Sequence, residues 1–563
     1  MTKGLAAAVL LLQVASQQPY IETFEVRLHN LDVVVTDRAG KPVAGLTKDD
    51  FIVTENGAAQ EITNFAVYGE SAGSAATPHP GPLPAERGEG DEKRVPRKFI
   101  FFIDEMSLHP SSRSRLLKNA TAMLEKSMGE GDQAAIVRPY GEQNIALNYT
   151  GDIDEFVRAF GAVLAENGTR IDTQQSAEIR FLELQLADTA GDPVSQRERK
   201  FVRRMYADAV RRRTEQRLGQ LRALVSSFAG TEGKKVVVLV TTSLSALPGW
   251  EARDPEDLEI GAASETDVPS SLPIYVDLKP KIEELGRTAA ANGVTMYTLQ
   301  PDVPVEFSVP GRESPRPRLQ TTSAGPIQPA RVRAVLPSNM GSVLIDNTRT
   351  TMKSLAEKTG GRSFLGDGNI DDAFRQIGTD LSSYYSLAYR ATGDSDQPRR
   401  VEVRVKDRPE LRVRTRTDVI EKSAEREMED LVVANLLYPR DVNELAIRAV
   451  PGAMRKSRNL FTVPVETRIP MERLTFLPGP DGRYHASFNV HYAAAGEKTD
   501  FSAGRQRRQD VTITQEQMQE LAGKVFRYTS ELEVAPGHVK IAVGVLDRTS
   551  KLSGFAVLSV WAK

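Results

Sequence analysis

Cysteine is absent from the 563 residues. Its absence excludes disulfides, thiolate metal sites, a cysteine nucleophile and a lipidated N-terminal cysteine. A surplus of one charge is lacking too. Lys and Arg number 73 against 75 Asp and Glu, so the charge of the whole chain gives no reason to expect nucleic acid or an acidic membrane as partner. After the first residues no run reaches the ~20 apolar residues that cross a bilayer. Catalytic signatures are missing as well. There is no Gly-rich loop ending in Gly-Lys-Ser/Thr, no Gly-x-Ser-x-Gly elbow and no His-Glu-x-x-His helix. The six histidines are scattered. His485 and His491 share strand parity, but six residues span about 20 Å along a strand, too far to ligate one metal. No cofactor and no enzymatic activity are expected from these patterns.

What is present begins with "MTKGLAAAVLLLQVASQQPY". Lys3, the apolar run Leu5–Val14 and the small residues Ala15-Ser16 have the form of a secretory leader spanning 1–16. The expectation is export to the periplasm or beyond the cell, with cleavage after Ser16 and no transmembrane segment after the leader.

The chain then changes pattern several times. Residues 21–70 read as short strands with turns at Asp37–Lys41 and Glu55–Gly57. Fifty residues are few for an independent core, so they are expected to share one sandwich with the strands of 382–420. Residues 71–97 are rich in Pro, Gly and Ala and read as a linker. From 98 to 381 strands and helices alternate. Phe99–Ile103 and Val236–Val240 are apolar at every position, as strands buried on both faces are. Ser111 or Ser112 is placed to cap the helix after the first strand, and Asp152 the next. This alternation implies an α/β doubly wound sheet. Two insertions interrupt it. Residues 174–228 are helical and basic, read as a solvated or partner-facing pair, with nucleic acid set aside. Residues 302–347 are rich in Pro and Arg and read as an extended or disordered loop. Helices are read at 278–291, 350–358 and 371–381. From Ser382 the pattern returns to strands, with one helix near 424–437 and a second sandwich over 430–563. The fold class is therefore multidomain, an α/β doubly wound domain flanked by β-sandwich domains.

Two phrases lead to a family. "VVVTDRAGKPVAGLTKDDFIVTENGAAQEITNF" precedes the α/β segment and "LAEKTGGRSFLGDGNIDDAFRQIGTDLSSYYSLAYRA" closes it. Together they resemble the exported bacterial proteins called VWFA-related, and the segment from Arg97 to Leu381 resembles a von Willebrand factor A domain. The resemblance implies a ligand face at the carboxyl ends of the strands, in the loops Asp104–Ser112, Asn167–Ile171 and Thr241–Trp250. It also implies a metal-ion-dependent adhesion site, written Asp-x-Ser-x-Ser with a later Thr and a second Asp. Here Asp104 matches the first Asp and Thr169 the loop Thr. Met106 and Leu108 stand where hydroxyls belong, Ser107 is one residue out of register, and Thr242 replaces the second Asp. The expectation is a degenerate site that holds no metal, Mg²⁺ or Mn²⁺ being the ions concerned. Asp104 would instead accept backbone N–H groups of its loop. Asp104, Glu105, Ser107, Thr169 and Thr242 are the candidate partner-binding residues. The reading is an exported protein–protein interaction or scaffolding protein with a protein partner outside the cytoplasm. Two alternatives stand beside it. One is a metal-dependent adhesin in which Glu105 or Ser107 repairs the site, and the other an enzyme or accessory subunit of an extracytoplasmic complex.

Overall fold

The structure, a computed structural model, describes residues 28–69, 96–139, 145–165, 196–231, 233–250, 276–301, 340–366, 370–390, 396–438, 442–457, 460–496 and 502–563, with parts of 178–185. The stretch 1–16 read as a leader, nearly all of the segment 71–97 read as a linker and most of the segment 302–347 read as a loop lie outside the described residues. The architecture is mixed α/β, built from several sheets.

At its centre is a six-stranded sheet. From one edge the strands are Ser363–Leu365, Val294–Gln300, Lys235–Val240, Lys98–Ile103, Gln133–Val137 and Ile145–Thr150. All neighbours are parallel except the last pair. The fully apolar strands sit in the middle, where both faces are covered. Phe99, Phe101 and Ile103 enter one apolar cluster, with Phe156, Phe160, Phe374 and Ile377 from helices Ile153–Ala165 and Ile370–Ser382. Ile100 and Phe102 enter a second cluster on the opposite face.

Strands from the two flanking segments interleave. Ser383–Arg390 lies between Leu28–Thr36 and Ile62–Gly69, and Arg399–Val405 pairs with Phe51–Glu55. Leu31, Val33, Phe51, Val53, Tyr385, Leu387, Val401 and Val403 then share one core. In Arg399–Val405 the valines are buried and the intervening Glu402 and Arg404 are not, the period of two that one wet face demands. This sandwich abuts the amino ends of the central strands. There the Lys234 Nζ lies 3.3 Å from Asp32 Oδ2 and 3.5 Å from the centroid of the Tyr384 ring.

Helix Ala424–Asn435 joins the central domain to the C-terminal strands. Its Met428, Val432 and Val433 pack in one continuous cluster with Leu221 and Leu285 on one side and Ala542, Leu546 and Phe555 on the other. Close approach of the helix requires Gly544, because a Cβ there would lie 2.4 Å from both Met428 Cε and Val432 Cγ2. Gly544→Ala is expected to cost about 1–3 kcal/mol by overpacking, read as a lower denaturant midpoint at unchanged slope. Beyond the helix, two antiparallel sheets enclose a further core that includes Val463, Val465, Phe488, Val490, Tyr492, Ile541 and Val543.

Several boundaries differ from the sequence reading. Pro96 and Arg97 are not linker. Arg97 is buried, pairs with Asp132 at 2.7 Å and donates to the Leu381 carbonyl at 3.2 Å. The loop assigned to 302–347 gives way to helix Met340–Lys358, ten residues longer at its start than read. Residues 218–228 are not an exposed insertion, since Leu218, Leu221, Leu224, Val225 and Phe228 cover one face of the central sheet. The first helix, Pro110–Ser127, is capped by His109, whose Nδ1 accepts from the Ser111 N–H at 3.2 Å; neither Ser111 nor Ser112 is the cap. Asp152 does cap its helix, accepting from the N–H groups of Asp154 and Glu155.

Candidate functional site

Parallel strands end on the same edge of a sheet, so their carboxyl ends bring separate loops together. Lys98–Ile103 runs into Asp104, and Lys235–Val240 into Thr241. The Asp104 N–H donates to the Val240 carbonyl at 3.0 Å, and the Thr241 N–H to the Leu299 carbonyl at 3.1 Å. A single 3₁₀ turn, Glu105–Ser107, then reverses the chain.

Asp104 is fully buried. Its Oδ2 accepts from the Thr241 hydroxyl at 2.7 Å and lies 3.1 Å from Arg217 Nη2. That second contact is an ion pair without an aligned N–H···O bond, and among the described residues Asp104 Oδ1 has no hydrogen-bond partner. The expectation that Asp104 caps its own turn is corrected, because its side chain makes no cap bond there. A buried guanidinium needs a counter-charge, and the carboxylate has turned inward to supply it.

Arg217 comes from the long helix Gln196–Ser226. Its side chain is 4% exposed. Besides Asp104 it reaches the neighbouring loop, where Nη1 donates to Ser243 Oγ at 3.0 Å and to the Ser243 carbonyl. The helix and that loop also touch at Gly249, where φ is +82° and a Cβ would lie 2.5 Å from Ala207 Cβ.

Ser107 and Thr242 tie the two loops to each other. The Thr242 N–H donates to Ser107 Oγ at 3.1 Å, and the Thr242 hydroxyl to the Ser107 carbonyl at 2.9 Å. Ser107 Oγ donates back to the Asp104 carbonyl at 2.9 Å, and Gln300 Nε2 to the Thr242 carbonyl at 3.2 Å. Glu105 is buried, with Oε1 3.9 Å from Arg138 Nη1, and its carbonyl accepts from Arg113 at 3.2 Å. Of the five candidates, Asp104, Glu105, Ser107 and Thr242 thus meet at one place. Thr169 lies outside the described residues.

This donor set does not fit a divalent cation. Mg²⁺ and Mn²⁺ need several oxygens close around the ion. Asp104 Oδ2 already faces a guanidinium, and a second cation beside it would be repelled. Leu108 offers hydrocarbon and is itself buried. Among the described residues no three His, Asp or Glu side chains gather as a metal cluster. Burial also means that Asp104, Glu105 and Thr242 shape the loops from within and do not form their outer surface.

Arg217 is the residue that sequence reasoning missed. A signal existed. Val210, Thr214, Arg217, Leu221, Leu224 and Phe228 recur at the three-and-four spacing of one helix face, and from Thr214 onward every one of them is buried. An arginine in that register has to find a buried anion.

No known protein family matches the sequence, and no curated protein is a significant relative. Among solved structures, an aerotolerance-related membrane protein from Bacteroides fragilis NCTC 9343, carrying multiple mutations to serines, is 12% identical. The match covers 51% of this chain and 98% of that one, with a TM-score of 0.21. The conserved hypothetical protein BatB from Bacteroides thetaiotaomicron gives the same identity and TM-score over 51% of this chain and 97% of its own. A β-glucosidase from Kluyveromyces marxianus is 10% identical over 61% of this chain and 33% of its own, with a TM-score of 0.12. Likenesses at this level assign neither fold family nor function.

Proposed function

We propose that the chain is a non-catalytic, metal-independent interaction protein built on a von Willebrand A-like domain, acting outside the cytoplasm on a protein partner. The observation that carries the reading is the Arg217–Asp104 pair. The carboxylate at the end of the central strand has its cation supplied by the chain itself, so the loops can be ordered without an ion. The order of the six strands, with one antiparallel edge, supports the A-like assignment. The apolar run Leu5–Val14 supports export. In the described part of the chain no helix is long and apolar enough to cross a membrane.

Calorimetry and thermal melts test the reading. Adding a chelator, then millimolar Mg²⁺ or Mn²⁺, is expected to leave the melting temperature within about 1 °C, because a ligand without preference for the folded state adds no stability. Binding to partners recovered from the native envelope is expected to be equally indifferent to chelation. Saturable micromolar binding of either ion that disappears in Asp104→Ala would transfer the site to the adhesin reading.

A further inference from the structure

The C-terminal sheet has two unlike edges. One is strand Ser502–Ile513, which lies beside Tyr484–Gly496. Arg507, Arg508 and Asp510 stand exposed along it, and charge of this kind keeps an edge from pairing with other chains. The other edge is strand Ser553–Ala562, paired along its length with Gly537–Asp547 without a bulge. It has no charged residue and no proline. Its outer side can be read from its first residue. The Ser553 N–H donates to Glu444 Oε2 at 3.0 Å, and the Ser553 carbonyl accepts from the Glu444 N–H at 3.0 Å. Both groups therefore point away from Gly537–Asp547. A strand repeats every two residues, so the N–H and carbonyl groups of Val557, Ser559 and Trp561 point the same way. Among the described residues these backbone groups have no partner. The three side chains share one face of the sheet, with Val557 40% exposed, Trp561 51% and Ser559 exposed as well.

We infer that strand Ser553–Ala562 is a dimerisation edge, on which the same strand of a second copy lies antiparallel about a twofold axis at Ser559. Three features select this occupant. First, the edge is complementary to itself. With Ser559 opposite Ser559, Val557 of each copy faces Trp561 of the other, and every facing pair exchanges both of its N–H···O bonds. An aromatic ring beside a β-branched side chain is also a favourable cross-strand pair. Second, the charges at its ends are complementary. Lys563 of the second copy falls opposite Phe555, two positions from Ser553, so its ammonium reaches the Glu444 carboxylate that sits at Ser553. The twofold axis makes this ion pair twice. Third, the assembly closes. Pairing consumes the uncharged edge of each sheet and leaves the charged edges outside, so two copies complete it. A foreign strand has no charge within this edge to be chosen by. The inference goes beyond the proposed partner-binding role and does not depend on the Asp104 loops.

Sedimentation velocity of the full chain, from about 1 to 100 µM, tests it. The expected result is a monomer–dimer equilibrium within that range, since one strand pair makes a small interface. Ser559→Lys and Ser559→Glu each set like charges directly across the axis, and each is expected to weaken dimerisation about tenfold or more. Mixing the two variants in equal parts sets opposite charges there and is expected to restore association between them. Only a second copy that places Ser559 against Ser559 predicts that rescue. Residues 5–14 are present in every protein compared, so the differences isolate the edge. The changed residue is exposed, and unchanged circular dichroism spectra and melting temperatures show that the variants fold. In Ser559→Glu the new carboxylate also lies beside Lys540 of the neighbouring strand, which favours the fold. A monomer at every concentration, a dimer that both variants leave intact, or a mixture no more associated than its parts would overturn the inference. A monomeric chain that instead binds an unrelated extended peptide, and loses it in both variants, would overturn it in favour of a foreign strand.

Discussion

Arg217→Ala is expected to destabilise the protein by about 3–5 kcal/mol, the cost of leaving a buried charge without its partner. Asp104 is fully buried, and among the described residues the Thr241 hydroxyl would be left as the hydrogen-bond donor to its carboxylate. The same change removes the Arg217 bonds to the Ser243 carbonyl and hydroxyl, so the loop that follows the Lys235–Val240 strand is held to the long helix less tightly. Asp104→Ala is expected to fall in the same range, because it strands the guanidinium. The double variant Asp104→Leu/Arg217→Met is the informative one. With both charges replaced by hydrocarbon of similar size, most of the loss should be recovered. Urea unfolding of the four proteins gives the coupling directly. Single variants that each cost less than about 1 kcal/mol would mean that the pair is solvated and that the loop is ordered by something else.

The second large effect is acid sensitivity below neutrality. Burial lowers the His491 pKa to about 4, against a smaller opposing contribution from Glu425. Burial, then Arg416 and Arg399, lower His29 to about 3. The geometry agrees. His491 is buried under helix Ala424–Asn435 with neither ring nitrogen hydrogen-bonded among the described residues. His29 Nε2 lies 3.1 Å from Arg399 Nη2, a donor that requires the ring nitrogen to be unprotonated. Both folded values lie below the ordinary value of 6.5. The unfolded chain therefore binds more protons as pH falls, and stability that is complete above about pH 6.5 is lost on the way down. Between pH 6.5 and 4 each histidine is expected to remove roughly 3 kcal/mol. Burial pushes the Asp132 carboxylate up, but the bonds from Arg97 and Gly129 together outweigh it and hold the group below its ordinary value, so its own loss comes at lower pH. His491→Leu should flatten the profile in this window. It should also be neutral or stabilising at pH 7, since it removes two unsatisfied polar atoms from a core. A His491→Leu protein that loses stability between pH 6.5 and 4 as steeply as the parent would refute the assignment.

Asp104 shows where the sequence was sufficient and where it was not. Its place at the end of an apolar strand, and the lack of hydroxyl ligands at Met106 and Leu108, could be read directly. Its partner could not. Arg217 is 113 residues away, and only the packing of the long helix over the sheet brings the two together. The strands were readable because burial on both faces forces an uninterrupted apolar run, as in Phe99–Ile103, and burial on one face forces alternation, as in Arg399–Val405. Helix ends were less readable. Met340–Lys358 begins ten residues before its clear apolar stripe, and Pro110–Ser127 takes its cap from a histidine, because tertiary contacts can hold a turn that local propensity leaves undecided.

The histidines divide the same way. The sequence placed His485 and His491 on one face of one strand and too far apart for a shared metal. It could not say that His485 would be exposed beside Asp481, at 2.9 Å, while His491 is buried. That difference depends on how far helix Ala424–Asn435 covers the sheet. By itself, then, the sequence determined the positions and buried faces of the main strands, since these follow from local periodicity and side-chain chemistry. Only the tertiary structure decided which charge answers Asp104, which histidine leaves water, and that the central domain and the C-terminal strands share one core. Those outcomes depend on contacts between segments far apart in the chain, where burial fixes the energy of each charged or polar group.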